Sequence, residues 1–226
     1  MNFLSKIKIF LKRPKVVIIT GLGRQTAKAA ILQVLKQYFR VGSEIVIFET
    51  ELKETTDIKN FNFLVKNSSL PILVVTHIGD ISPFDRFDKL TTGKLRTSPE
   101  KDFFAGKGKN APIKKLEKFL PSKAVLILNY DDEELKEMRE DAELKKYTFG
   151  FREEADFYAS DIKINGGLNF KINYKGNTVP VWLESSFNKE HIYAALAASA
   201  VGEVLDLNLV EISQALKDYQ GLLRRE

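Results

Sequence analysis

Val16-Val17-Ile18-Ile19-Thr20-Gly21-Leu22-Gly23-Arg24-Gln25-Thr26 joins a β-branched run to two spaced glycines and a hydroxyl residue. Pro14 precedes the run and Thr20-Gly21 closes it, so Val16–Ile19 reads as a buried, parallel strand. From Thr26 to Phe39, the apolar residues Ala30, Ile31, Val34, Leu35 and Tyr38 recur at helical spacing. A strand that turns through glycines into a helix presents backbone N–H groups and the positive end of the helix dipole to an anion. A Walker phosphate loop, G-x-x-x-x-G-K-[ST], adds a lysine for the outer phosphates and a hydroxyl for magnesium. Here Gly21, Gly23 and Thr26 are present, but Arg24 or Gln25 stands where the lysine belongs. Arginine keeps the charge on a larger, planar fork, whereas glutamine offers only a neutral donor. The spelling of the loop alone is compatible with a phosphate site and with a structural turn.

Outward from this stretch, strands and helices alternate. Ile45–Phe48 and Pro71–Thr76 read as further buried strands, with a short helix over Ile58–Val65 between them. Pro83–Asn110, rich in Gly, Ser, Thr and Lys, reads as a long loop of the kind that is functional or disordered. Lys114–Phe119 then reads as helix, Ala124–Leu128 as strand and Glu133–Glu143 as helix. Residues 147–183 hold short alternating segments with turns at Gly166-Gly167 and Lys175-Gly176-Asn177, the signature of an antiparallel meander. His191–Leu205, rich in alanine, and Leu209–Tyr219 close the chain as helices. The pattern predicts an α/β fold: a three-layer, mostly parallel sheet with a small antiparallel β meander and ligands at the strand C-termini.

Composition narrows the chemistry. The chain of 226 residues is 44% hydrophobic with 16 Phe, enough for a real core in one large domain. It has no cysteine, which removes disulfides, thiolate metal sites and cysteine nucleophiles and suits a reducing cytoplasm. His77 and His191 are its only histidines, so a His-rich metal centre is excluded. The net charge of +5 favours anionic partners in general without choosing among them. Residues 1–15 interleave Phe3, Leu4, Ile7, Ile9, Phe10 and Leu11 with Lys6, Lys8, Lys12, Arg13 and Lys15. Too short and charged to span a bilayer, this basic amphipathic leader could pack on the domain as a helix or rest on the inner membrane surface.

Several further stretches carry a resemblance. Val17-Ile-Ile-Thr-Gly-Leu-Gly-Arg-Gln-Thr-Ala-Lys28 resembles ITGSNGKTTTK, one residue shorter, and Val75-Thr-His-Ile-Gly-Asp80 resembles VTNIGE. Leu128-Asn-Tyr-Asp-Asp132 is similar to LNADD, and Thr148-Phe-Gly-Phe with Ala155-Asp156 and Ala159-Ser-Asp-Ile162 to TFG…AD…A.DI. Ile192-Tyr-Ala-Ala-Leu-Ala-Ala198 with Val201-Gly202 resembles VYNALAA…VG. Taken together, in order and spacing, these resemble the ATP-binding central domain of the Mur ligases over about Pro14 to Glu226. That domain is of P-loop NTPase type, and the D-alanyl-D-alanine-adding ligases look closest.

The resemblance implies roles. Gly21, Gly23, Arg24, Gln25 and Thr26 would form the nucleotide loop, and Asn129 and Asp132 would lie near adenine and ribose. His191 would be a shifted equivalent of the histidine before the alanine-rich helix. Thr26 and Glu49 would hold magnesium, for which a carboxylate and a hydroxyl are suitable hard ligands. Other reasons exist for some of these types: Asp132 can cap a helix, Glu49 can sit at a strand rim, and His191 can enter a helix. Departures accompany the matches. The lysine is missing, the substrate loop between the first helix and Ile45–Phe48 is absent, and Ser82, His77 and Ala194 replace expected residues. Lys114 or Lys115 falls near the family's carbamylated lysine, and Gly221-Leu-Leu-Arg-Arg-Glu226 resembles the boundary with the C-terminal domain. The expected organisation is therefore a leader, 1–15, and a central-like domain, 16–226, without the family's N-terminal and C-terminal domains. The function expected is a degenerate central domain in cell-wall precursor metabolism, with weak or no binding of ATP and Mg2+ and a partner-binding role. The alternatives are an ATP-dependent ligase completed by another chain, and a basic module for nucleic acid or a membrane surface, with no specific nucleic acid indicated.

Overall fold

In the computed structural model, the described residues are 2–51, 55–78, 119–135, 138–139, 144–164, 167–183 and 188–219. Helix α1 (Phe3–Lys12) leads into β1 (Lys15–Thr20), α2 (Arg24–Tyr38), β2 (Ile45–Glu49), α3 (Thr55–Lys66) and β3 (Pro71–Val75). There follow β4 (Val125–Asn129), a 3₁₀ turn at Glu133–Leu135, β5 (Lys145–Gly150), β6 (Phe157–Ile164), β7 (Leu168–Tyr174) and β8 (Asn177–Leu183). Helices α4 (Lys189–Val204) and α5 (Leu209–Leu216) complete the described fold.

The strands form one sheet in the order β2-β1-β3-β4-β5-β6-β7-β8. Pairing is parallel from β2 through β6, with Val17 opposite both Ile47 and Ile72, and antiparallel from β6 to β8. Tyr147–Gly150, expected in the antiparallel meander, is instead parallel β5. It pairs with β4, Ile127 facing Tyr147 and Asn129 facing Phe149. Buried Phe149 anchors it under α4, which the alternation of a six-residue segment could not reveal. The meander proper is β6–β8 and continues the main sheet rather than standing beside it.

Two-residue periodicity divides the β-branched runs between two cores. Val17, Ile19, Ile72, Val74 and Ile127 face α2, α4 and α5, while Val16, Ile18, Leu73, Val75 and Leu126 face the other side. There Phe61, Leu64 and Val65 of α3 and Ile9 of α1 cover the sheet. This is the expected three-layer arrangement. The chain leaves β1 toward β2 on one side, and β3 lies on the other, so the switch point falls between β1 and β3. Ligands in such sheets bind outside the strand ends at that point. Helix α3 is longer than the expected 58–65. Of the helix expected at 133–143, the described residues show the 3₁₀ turn and a helical Met138-Arg139. The 83–110 loop and residues 114–118 lie outside the described residues.

Candidate phosphate-loop site

Three segments meet at the switch point: the turn 21–23 after β1, residues 76–78 after β3 and residues 129–132 after β4. Gly21 has φ 102 and Gly23, the residue before α2, φ 76, both in the left-handed region that glycine tolerates. The turn is drawn down on the end of β3. The Leu22 N–H donates to the His77 carbonyl at 2.8 Å, and the Thr76 hydroxyl lies 2.6 Å from the Leu22 carbonyl. A Cβ on Gly21 would stand 2.6 Å from the His77 oxygen, so no larger residue fits.

Among the described residues, each cation near the turn is already engaged. One Arg24 Nη is ion-paired with Glu51, and the other lies 3.4 Å from the Gly21 carbonyl. Lys28, one turn further along α2, reaches Glu49 at 3.0 Å. Glu49, the expected magnesium ligand, is thus part of an ion pair, while Gln25 is exposed. Thr26 is buried, its hydroxyl donating to the Glu190 carboxylate at 2.5 Å. Tyr219 reaches the Thr26 carbonyl at 3.3 Å, which ties the chain beyond α5 to the same turn.

Glu190 is the residue that sequence reasoning passed over. Asn188 caps α4, its side chain accepting from the Glu190 N–H at 3.0 Å and meeting His191 Nδ1 at 2.8 Å. The cap directs Glu190 over the loop, with its Oε1 3.5 Å from where a Cβ of Gly23 would lie. The only signal was its neighbour: Glu190 directly precedes His191, which read as the equivalent of the histidine before the alanine-rich helix. An acidic residue in the first turn of a helix ordinarily reads as a partner of the dipole. Beneath Glu190 remains a cavity of about 20 Å³ bounded by Leu22, Gly23, His77, Asn129 and Tyr193, room for a single water. His191 serves the cap. Burial holds its imidazole below the usual range against the opposing pull of Glu190 and Asn188.

Asn129 and Asp132, expected beside adenine and ribose, are buried and occupied within the chain. The Asn129 side-chain oxygen accepts from the Asp131 N–H at 3.0 Å. One Asp132 oxygen accepts from the Ile78 N–H at 2.7 Å and lies 2.9 Å from His77 Nδ1; the other accepts from the Glu134 N–H at 3.0 Å. Burial pushes this carboxyl up, but His77 and the two amides outweigh it and hold the group below the ordinary carboxylate range. Asp132 therefore clamps β3 to β4 besides capping the 3₁₀ turn. Asp131 accepts from the Phe151 N–H at 2.6 Å and the Tyr193 hydroxyl at 2.9 Å, and burial followed by the Asp131 charge raises the Tyr193 phenol.

The site joins Gly21, Gly23, Thr26, Asn129 and, through its cap, His191, while Arg24 and Glu49 turn to intramolecular partners. Among the described residues, no group of three or more His, Asp or Glu is placed to hold a metal ion. A carboxylate lies over the glycines and the space below it takes one water, so the described residues as arranged do not fit a magnesium-bound triphosphate.

Comparison with known proteins gives a likeness. Residues 111–202 match the family model of the Mur ligase middle domain. Among curated relatives, the UDP-N-acetylmuramate–L-alanine ligase of Alkaliphilus metalliredigens is 28% identical over 115 residues, covering 50% of this chain and 25% of that protein. The corresponding ligase of Hydrogenovibrio crunogenus is 32% identical over 108 residues, 47% of this chain and 23% of that one. In fold, the chain is similar to MurF from Acinetobacter baumannii, with TM-score 0.71, 16% identity, and 96% of this chain and 49% of that one covered. It is also similar to the MurF ligase of Thermotoga maritima in complex with ADP, with TM-score 0.65, 17% identity, and coverage of 93% and 50%. The matches thus span about a quarter of the length of the sequence relatives and about half that of the solved structures. The likeness to the Mur ligase middle domain that the motifs carried is shown by family model, sequence relatives and fold together.

Proposed function

We propose that this chain is a Mur-ligase-like central domain of cell-wall precursor metabolism whose phosphate loop is closed by its own carboxylate, leaving weak or no ATP binding and a partner-binding role. The observation that carries the reading is the Thr26–Glu190 hydrogen bond above Gly23. Glu190 supplies the anion that the loop amides and helix dipole favour, and it engages the hydroxyl that would otherwise ligate magnesium. A phosphate entering there meets a like charge and must displace the carboxylate. The missing lysine compounds this, since phosphoryl transfer rests on charge neutralisation, and each lost electrostatic donor costs on the order of 10²–10³ in rate.

The ligase reading, in which another chain completes an ATP-dependent carboxylate–amine ligase, draws on the positive-φ glycines and on Thr26 at the start of α2. Calorimetric titration with Mg-ATP separates the two. Binding no tighter than millimolar is expected, with Glu190→Ala, which removes the carboxylate, tighter by about tenfold, or roughly 1.4 kcal/mol. Micromolar binding by the unmodified chain would refute the closed-loop reading and favour the ligase.

A further inference from the structure

Helix α1 buries one side and presents another that nothing among the described residues covers. Ile9 is 5% exposed and sits in the core with Phe61, Leu64 and Val65, and Lys6 Nζ lies over the Phe63 ring at 5.7 Å. At about 100° per residue, Ile7, Leu11 and Leu4 fall roughly 140–160° around the helix from Ile9 and Phe10 about 100°, so the four form one apolar arc turned away from the core. Leu4 is 69%, Phe10 58% and Leu11 73% exposed. Such a stripe on a helix that already has a core contact is not required for folding and marks an interaction surface.

Charge identifies the partner. Residues 1–15 contain Lys6, Lys8, Lys12, Arg13 and Lys15 and no acidic residue. Lys8 and Lys12, one turn apart, border one edge of the apolar arc. At the foot of the helix, an open groove of about 480 Å³ is lined by Lys12, Arg13, Lys15 and Arg40, with Glu44 the one carboxylate among the described lining residues. Glu44 is engaged in accepting from the Arg40 N–H at 2.9 Å. Cations bordering an apolar arc complement an interface that is anionic above and hydrocarbon below. Nucleic acid would use the cations but leave the leucines without a role.

We infer that α1 is a peripheral anchor that lays Leu4, Ile7, Phe10 and Leu11 into the surface of an anionic bilayer, with phosphate headgroups in the Lys12–Arg40 groove. No described helix is long and apolar enough to cross a membrane, so contact is lateral. The groove lies at the N-terminal end of β1, away from the phosphate loop, so the inference does not depend on what that loop binds.

The test is cosedimentation of the full chain with phosphatidylglycerol-containing vesicles and with pure phosphatidylcholine vesicles, across salt concentrations. Salt-sensitive binding to the anionic vesicles is expected, with about tenfold weaker binding in Leu4→Ser/Leu11→Ser and in Lys8→Gln/Lys12→Gln. These side chains are exposed, and unchanged thermal unfolding of the variants shows that the fold is intact. No binding to anionic vesicles overturns the inference. So does undiminished binding by the double leucine variant, or tighter binding to single-stranded RNA that survives loss of the leucines.

Discussion

Gly21 and Asp132 show how single residues hold the candidate site. At Gly21 both backbone and space exclude a side chain: φ is 102 and a Cβ would meet the His77 oxygen at 2.6 Å. Gly21→Ala should therefore destabilise the domain by about 1–3 kcal/mol from backbone strain alone, read as a lower midpoint in urea at unchanged slope. Asp132 makes a prediction about pH. Its folded pKa is lowered, so the unfolded chain binds the proton more tightly and stability rises with pH through the interval between the two values. The contribution is fully present above the ordinary carboxylate range and is lost as pH falls through the lower, folded pKa. Asp132→Asn should be less stable than the parent at pH 7 and lose less on acidification, measured by urea unfolding at pH 7 and pH 3. The residue types of the loop were legible in sequence, but their partners were not. Thr26 read as a magnesium ligand, with an N-terminal helix residue as the alternative, and its bond to Glu190 spans 164 positions. Asp132 read as a nucleotide-site residue or as a cap; it does accept from the Glu134 N–H, and its grip on His77 and Ile78 depended on β3 and β4 becoming neighbours.

At the scale of elements, the alanine-rich run read as a close-packed helix, and residues Ile192 to Gly202 of α4 are all buried. Helix α4 meets α5 at Gly202, where an added Cβ would stand 2.7 Å from Ile212 Cδ1. Alanine would gain up to about 1 kcal/mol in helix propensity, but overpacking costs about 1–3 kcal/mol, so the clash wins. Gly202→Ala is expected to lower the thermal midpoint, and adding Ile212→Val, which removes Cδ1, should restore part of the loss. A double-mutant cycle with independent, additive effects would contradict that packing account. Helices α2, α4 and α5 were legible by their helical spacing, and strands β1 to β4 by continuous apolar, β-branched runs. Segment 145–150 was harder: buried Phe149 and half-buried Tyr147 give the same alternation in parallel and antiparallel pairing, and only the partner strand distinguishes them.

For the whole molecule, one sheet with a core on each face should unfold cooperatively, and ligand linkage then reports on the site. With a Kd of millimolar or weaker, 1 mM Mg-ATP stabilises the fold by at most on the order of 0.4 kcal/mol. For a domain of this size that is about 1–2 °C in the thermal midpoint. A micromolar site would give about 4 kcal/mol at the same concentration, so a shift near 10 °C in scanning calorimetry would refute the closed loop.

By itself the sequence determined the α/β class, the strand–turn–helix at Gly21, the missing lysine and the likeness to the Mur ligases, since periodicity and motif order are local properties of the chain. Tertiary structure alone decided that a carboxylate from the start of α4 lies over that turn, that Arg24 and Lys28 are taken by Glu51 and Glu49, and that α1 keeps its leucines outside. Each depends on which distant segments the sheet order brings together, and no local pattern encodes that proximity.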